Sequence, residues 1–97
     1  MKWWLLIVAL CTQMSVPAYG QESEQARAKA LYANGKMLFD EGRFKEAIKA
    51  WQEAHNLTGR PLLLYNIALA HEALGQFSEA VEVLFQYRIY APKEELG

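Results

Sequence analysis

Gly42–Ala47 reads GRFKEA, and Gly75–Ala80, 33 residues later, reads GQFSEA. A single match of this length can arise by chance, but further residues match at the same offset of 33. These pairs are Leu31 with Leu64, Tyr32 with Tyr65, Ile48 with Val81, and Trp51 with Leu84. A set of matches at one spacing indicates an internal structural repeat.

The first copy of the repeat predicts two consecutive helices. Residues 23–41 are rich in Ala, Lys, Glu and Gln, which favour helix, and their apolar residues recur at steps of three and four. Gly42 is predicted to end this helix in the left-handed conformation. A second helix then carries an apolar stripe made of Phe44, Ala47, Ile48, Trp51 and Ala54.

The second copy predicts the same arrangement. Gly59 is predicted to stop the second helix, and Pro61 has the fixed φ that suits the first turn of the next one. Residues 61–74 and 77–90 repeat the helical pattern of the first copy. The sequence therefore predicts an all-α chain with two helix pairs.

The two units resemble tetratricopeptide repeats, in which small residues stand where helices cross closely. The resemblance implies an all-α fold of two antiparallel helix pairs in a right-handed solenoid, with unit one at residues 28–60, unit two at 61–92 and a residual tail at 93–97. Asn34, His71 and Tyr87 depart from the family pattern. The motif positions are Leu31, Gly35, Gly42, Phe44, Ala47, Trp51 and Ala54 in unit one, and Leu64, Ala68, Gly75, Phe77, Ala80, Leu84 and Pro92 in unit two.

The resemblance also implies a protein–protein interaction module whose first helices line a concave groove. The groove is expected to take a peptide or a partner helix, as an adaptor or assembly factor does. The alternative is that this stripe packs against a chain terminus or another copy of the protein. The predicted groove residues are Lys29, Tyr32, Lys36, Phe39 and Asp40 in unit one, and Leu62, Tyr65, Asn66, Leu69 and Glu72 in unit two.

The N-terminus has the features of a cleaved signal peptide at residues 1–20. Lys2 precedes an apolar run, Trp3–Cys11, that is far shorter than the roughly 20 residues that span a bilayer. Ala18-Tyr19-Gly20 supplies small residues for cleavage, which leaves residues 21–97 as the mature domain. Cys11 as a lipid-attachment site is the alternative, although the bulky Leu10 stands where such sites have a small residue. The stretch Leu57–Pro61 resembles repeats of exported bacterial proteins, which implies a periplasmic or extracellular location.

Composition and motifs exclude several other functions. The chain has 10 Lys and Arg against 11 Asp and Glu, without the basic stripe of a nucleic-acid binder. His55 and His71 do not form a metal-ligand motif, and no nucleophile, base and orienting partner can be named. We therefore expect no nucleic-acid partner, no metal, no cofactor, no catalytic residues and, after signal cleavage, no membrane span.

The last predicted helix has an apolar outer face at Val81, Phe85 and Ile89. A terminal repeat of a solenoid normally needs a polar outer face, and about three repeats are usually needed for stability. We therefore expect this face to be covered by self-association, by a partner, or by a downstream repeat. The alternatives to an adaptor are accordingly a homo-oligomeric structural subunit and a fragment of a longer repeat protein.

We predict cleavage after Gly20. Mass spectrometry of the protein recovered from the exported fraction should give a chain that starts at Gln21. An intact chain that starts at Met1, or an acylated Cys11, would contradict this prediction.

Overall fold

The computed structural model describes the backbone of residues 17–91, and within this range the chain forms four α-helices and no strand. The all-α prediction is therefore confirmed for these residues. Side chains are described for residues 23–91. The helices are α1 (Pro17–Asp40), α2 (Phe44–Thr58), α3 (Pro61–Ala73) and α4 (Phe77–Tyr90).

Three of the four helices lie within one residue of their predicted limits, but α1 begins earlier than expected. The sequence pattern predicts its start at residue 23, whereas the helix begins at Pro17. The proposed cleavage triplet Ala18-Tyr19-Gly20 thus lies in the first turn of α1. Residues 1–16, with the apolar run and Cys11, and the tail at 93–97 lie outside the described residues.

Consecutive helices pack against each other along the chain. α1 packs on α2, α2 on α3, and α3 on α4. Because the connections between them have only two or three residues, each helix returns antiparallel to the one before it. As a result, α1 and α3 run in the same direction, and the start of each lies at the same end of the molecule as the end of α2 and of α4.

The turns after α1 and α3 are the same structure. Gly42 and Gly75 have φ angles of 80° and 76°, in the left-handed region that glycine tolerates. The amide of the next residue donates to a carbonyl five residues back, Arg43 to Leu38 at 2.8 Å and Gln76 to His71 at 2.9 Å. This bond marks a Schellman turn, so the sequence repeat corresponds to a structural repeat.

The core lies mainly between α2 and α3. Its buried side chains come from the apolar stripes of these two helices, with Leu38 added from α1. Phe39, Phe44, Leu74, Val83 and Tyr87 pack against its edge. The members of the core are Leu38, Ala47, Ile48, Ala50, Trp51, Ala54, Leu63, Leu64, Ile67 and Ala70.

Trp51 of α2 lies against the backbone of α1 at Gly35. Its indole Nε1 donates a hydrogen bond to the carbonyl oxygen of Tyr32 at 3.1 Å. A Cβ atom on Gly35 would lie 2.8 Å from the indole Cε2 and closer still to two other ring atoms. In unit two the equivalent positions hold Ala68 and Leu84, so the first helix has a larger residue than Gly35 and the second helix a smaller one than Trp51. From unit one to unit two, the side-chain volumes at these positions thus change in opposite directions.

We predict that Gly35→Ala destabilises the protein by about 1–3 kcal/mol, because overpacking against a rigid indole outweighs the helix propensity that alanine gains. In a Trp51→Leu background, which copies unit two, the same change should cost at least about 1 kcal/mol less. Urea unfolding of the wild type, both single variants and the double variant measures this coupling.

Ala30→Gly, at an exposed position of α1, is the control for backbone propensity alone. Strictly additive effects of Gly35→Ala and Trp51→Leu would show that the two side chains do not compete for one space.

Candidate functional site

The first helices of the two units present equivalent faces to solvent. Lys29, Tyr32 and Lys36 of α1 are spaced so that they share one side of the helix. The equivalent positions on α3 are Leu62, Tyr65 and Leu69, which are exposed as well. The two tyrosines are 40% and 41% exposed, values that are high for aromatic rings beside a core. The predicted groove thus has exposed residues at corresponding positions of both units.

A cavity of about 450 Å³ lies at one end of this face. It is formed where the middle of α1, the end of α2 and the start of α3 meet. Of the predicted groove residues, Lys29, Tyr32 and Leu62 line it. Among residues with described side chains, the lining is Gln25, Ala28, Lys29, Tyr32, Ala54, Thr58, Arg60, Leu62 and Leu63. Its volume is within the range of ligand-binding clefts, roughly 300–1,000 Å³.

Two predicted groove residues have other contacts. Phe39 is partly buried, with its ring centroid 5.0 Å from that of Phe44 and 5.8 Å from that of Trp51, so it packs mainly with the core. The sequence pattern places Tyr32 beside Tyr65, but the ring that packs on Tyr65 is that of Tyr87, at 5.7 Å. Tyr87 occupies the position of a small residue in unit one, Ala54, and so reaches across to α3.

The remaining predicted groove residues lie outside the cavity. Lys36 and Leu69 are exposed at equivalent positions further along α1 and α3, and Asn66 is half-buried. At the far end, Asp40 and Glu72 are both exposed. The face therefore carries Lys29 and Leu62 at the cavity, and carboxylates together with Lys36 toward the opposite end.

The cavity contains two positively charged side chains, Lys29 and Arg60, neither of which forms an ion pair with another residue in the described range. The neighbouring carboxylate on α2, Glu53, is bound by Arg27 at 2.7 Å. Arg43 pairs with Glu46 and Glu41 in the turn after α1. Hydrogen bonding to Glu46, followed by its charge, raises the pKa of Arg43.

Arg60 belongs to this cavity but was not predicted as a groove residue. The hydroxyl of Thr58 donates to the carbonyl of Ala54 at 2.9 Å and accepts from the backbone amide of Arg60 at 3.3 Å. These bonds fix the turn that carries Arg60 between the two units. The signal in the sequence is that Arg60 directly precedes Pro61, the first residue of α3. A residue just before the start of α3 lies at the end of the molecule where α1 also starts.

His71 forms a side-chain contact between α3 and α4. The Nδ1 atom of His71 lies 2.8 Å from Gln76 Oε1, and this hydrogen bond links the end of α3 to the start of α4. Among residues with described side chains, no three His, Cys, Asp or Glu residues are grouped as metal ligands would be.

None of the helices in the described range is both long and apolar enough to span a bilayer.

A second exposed surface lies on α4, on the side away from α3. We call it the α4 stripe; its residues are Phe77, Val81, Phe85 and Ile89, each more than half exposed. In unit one the residue equivalent to Val81 is Ile48, which is 8% exposed in the core beside α3, whereas Val81 is 66% exposed. Phe85 and Ile89 correspond to Gln52 and Asn56, which are polar and exposed. The α4 stripe therefore includes two positions, those of Phe85 and Ile89, whose equivalents on α2 are not covered by α3.

Comparison with known protein families agrees with the helix-pair architecture. Residues 28–60 match the model of the tetratricopeptide repeat family, with the same limits as the predicted first unit. Repeats of this family generally mediate protein–protein interaction, and the family is typically non-catalytic.

The chain is also similar to intraflagellar transport protein 70A of Danio rerio, at 39% identity over 51 residues. The matched segment covers 52% of this chain but only 8% of that relative. No solved structure matches the chain.

Proposed function

We propose that this protein is an exported adaptor or assembly factor that binds an extended peptide or a partner helix through the concave face of α1 and α3. The observation that supports this function is the pair of equivalent exposed faces, with Tyr32 and Tyr65 at matching positions and a 450 Å³ cavity at one end. Apolar anchors beside a few polar groups are the features of a peptide-binding groove.

The identity of the exposed side chains argues for binding rather than for packing within the chain. Leu62 and Leu69 are exposed on α3, whereas Leu63, Leu64 and Ile67 of the same helix are buried in the core. Covering each of these exposed leucines would contribute about 1–2 kcal/mol of hydrophobic free energy. A bound segment with apolar side chains supplies this cover.

Export is proposed from the N-terminal sequence. The apolar run Trp3–Cys11 precedes the small residues of Ala18-Tyr19-Gly20, which is the order found in signal peptides. A groove of this kind in an exported protein would serve an assembly in the cell envelope or outside the cell.

The peptide-binding prediction is tested with a displayed library of random peptides selected on the purified protein. Tyr65→Ala should weaken the selected peptides at least about fivefold, because Tyr65 offers a large exposed ring at the centre of the face. Its cost in stability should stay near 1 kcal/mol, the value of one aromatic contact with Tyr87. Trp51→Ala should instead cost about 3–5 kcal/mol, as expected for a core aromatic.

Tyr90→Ala is the matched control, since Tyr90 is an exposed tyrosine on α4 away from the groove. Thermal melts and fluorescence titrations of the three variants separate binding from folding. Equal effects of Tyr65→Ala and Tyr90→Ala on peptide affinity would contradict a groove at this face.

The second candidate function is that of a structural subunit that works as a homo-oligomer, and the α4 stripe favours it. Four apolar side chains at steps of four residues leave a continuous exposed face on α4, the last helix of the described range. Because a next repeat stacked as α3 is on α2 would cover Val81 but not Phe85 and Ile89, a second copy of α4 is the better match for the whole stripe.

If the α4 stripe joins two copies, the protein should sediment as a dimer, and Phe85→Glu should convert it to a monomer because the change buries an unpaired charge. Gln86→Glu, which adds the same charge beside the stripe, is the control and should leave the dimer intact. A monomeric wild type that is as soluble as Phe85→Glu would show that this face needs no cover.

A further inference from the structure

We propose that the cavity at the end of the groove selects partner segments that place an acidic side chain, Asp or Glu, next to apolar side chains. This inference rests on the proposed peptide-binding function and names the chemistry of its ligand. It is carried by the division of the cavity lining into two cations and an apolar floor.

The two kinds of lining come from different parts of the fold. Lys29 lies on α1 and Arg60 on the turn between the units, so the cations approach the cavity from two elements. The floor between them is apolar and is formed by Ala28, Ala54, Leu62 and Leu63. A peptide carboxylate can meet both cations there while the neighbouring side chain contacts the floor.

Both cations are available for a ligand. Glu53 is engaged by Arg27, and among the residues with described side chains neither Lys29 nor Arg60 has a carboxylate within ion-pair distance. Glu24 lines a smaller adjoining cavity of about 300 Å³ that shares Gln25 and Thr58 with the larger one. Of the side chains that the structure describes, no carboxylate lines the larger cavity.

The charges along the groove also set the direction of the ligand. Lys29 and Arg60 line the cavity, whereas Asp40 and Glu72 lie at the far end of the face, with Lys36 one turn before Asp40 on α1. A segment with its acidic residue at the opposite end would face like charges, which opposes binding in that direction. The two ends of the groove thus differ in charge, and the positive end is at the cavity.

The experiment uses the tightest peptide from the displayed library, synthesised with a blocked N-terminus and an amidated C-terminus. Versions that carry Glu, Gln or Lys at the position that selection enriches for acid are titrated by fluorescence anisotropy. The Glu peptide should bind about three- to tenfold more tightly than the Gln peptide, and the Lys peptide most weakly. The preference for Glu should fall as NaCl rises from 0.05 to 0.5 M.

Lys29→Gln and Arg60→Gln should each reduce the preference for Glu over Gln, and the double variant should abolish it. Lys45→Gln, at an exposed lysine of α2 outside the cavity, is the matched control and should keep the preference. The Gln peptide with a free C-terminus tests the other source of a carboxylate. Tighter binding of that peptide than of the amidated Glu peptide would overturn the proposal in favour of a chain terminus.

The two proposals fail in different ways. If peptides bind in a Tyr65-dependent manner but Glu and Gln versions bind equally, the inference about the cavity is wrong and the groove function stands. If no library peptide binds, both are overturned. If the double variant of Lys29→Gln and Arg60→Gln keeps the preference for Glu, other residues recognise the carboxylate and the inference about the cavity is wrong.

Discussion

The fold of unit one depends on the close approach of Trp51 to Gly35. An indole has a large apolar surface, and only a residue without a Cβ leaves space for it against the helix backbone. The hydrogen bond from Nε1 to the Tyr32 carbonyl gives the buried ring nitrogen a partner. This contact sets the distance between α1 and α2. Because residues of both helices line the cavity, its shape depends on the same distance. Tyr32 belongs to both features, through its backbone in the contact and its side chain in the cavity.

The sequence predicts the helices well where their limits depend on local chemistry. Gly42, Gly59 and Gly75 all adopt the positive φ that ends a helix, and Pro61 begins α3 as expected. The sequence pattern predicts the start of α1 six residues too late, because no strong capping residue marks it and Pro17 falls within the predicted signal peptide. The repeat offset of 33 residues predicts the rest of the fold, because residues 33 apart occupy equivalent places in the two units.

The site was predicted less completely because it depends on contacts between helices. Helical spacing identifies which residues of α1 and α3 share a face, and Lys29, Tyr32 and Leu62 line the cavity as members of that face. Spacing does not show that Phe39 turns toward Phe44, or that Tyr87 rather than Tyr32 meets the ring of Tyr65. Arg60 was missed for the same reason, because a turn residue joins a cavity only through the packing of three helices around it.

The connections between helices differ in the hydrogen bonds that close them. The turns inside each unit are closed by Schellman bonds between residues five apart. The junction between the units has a bond between residues four apart, from the Gly59 amide to the His55 carbonyl, and the side-chain bond of Thr58. The core between α2 and α3 spans this junction, so packing as well as the turn holds the two units together. Since Thr58 and Arg60 belong to the cavity wall, the shape of the cavity depends on how this core places α3 against α2. Substitutions in the core would therefore alter the cavity without changing either of its two cations.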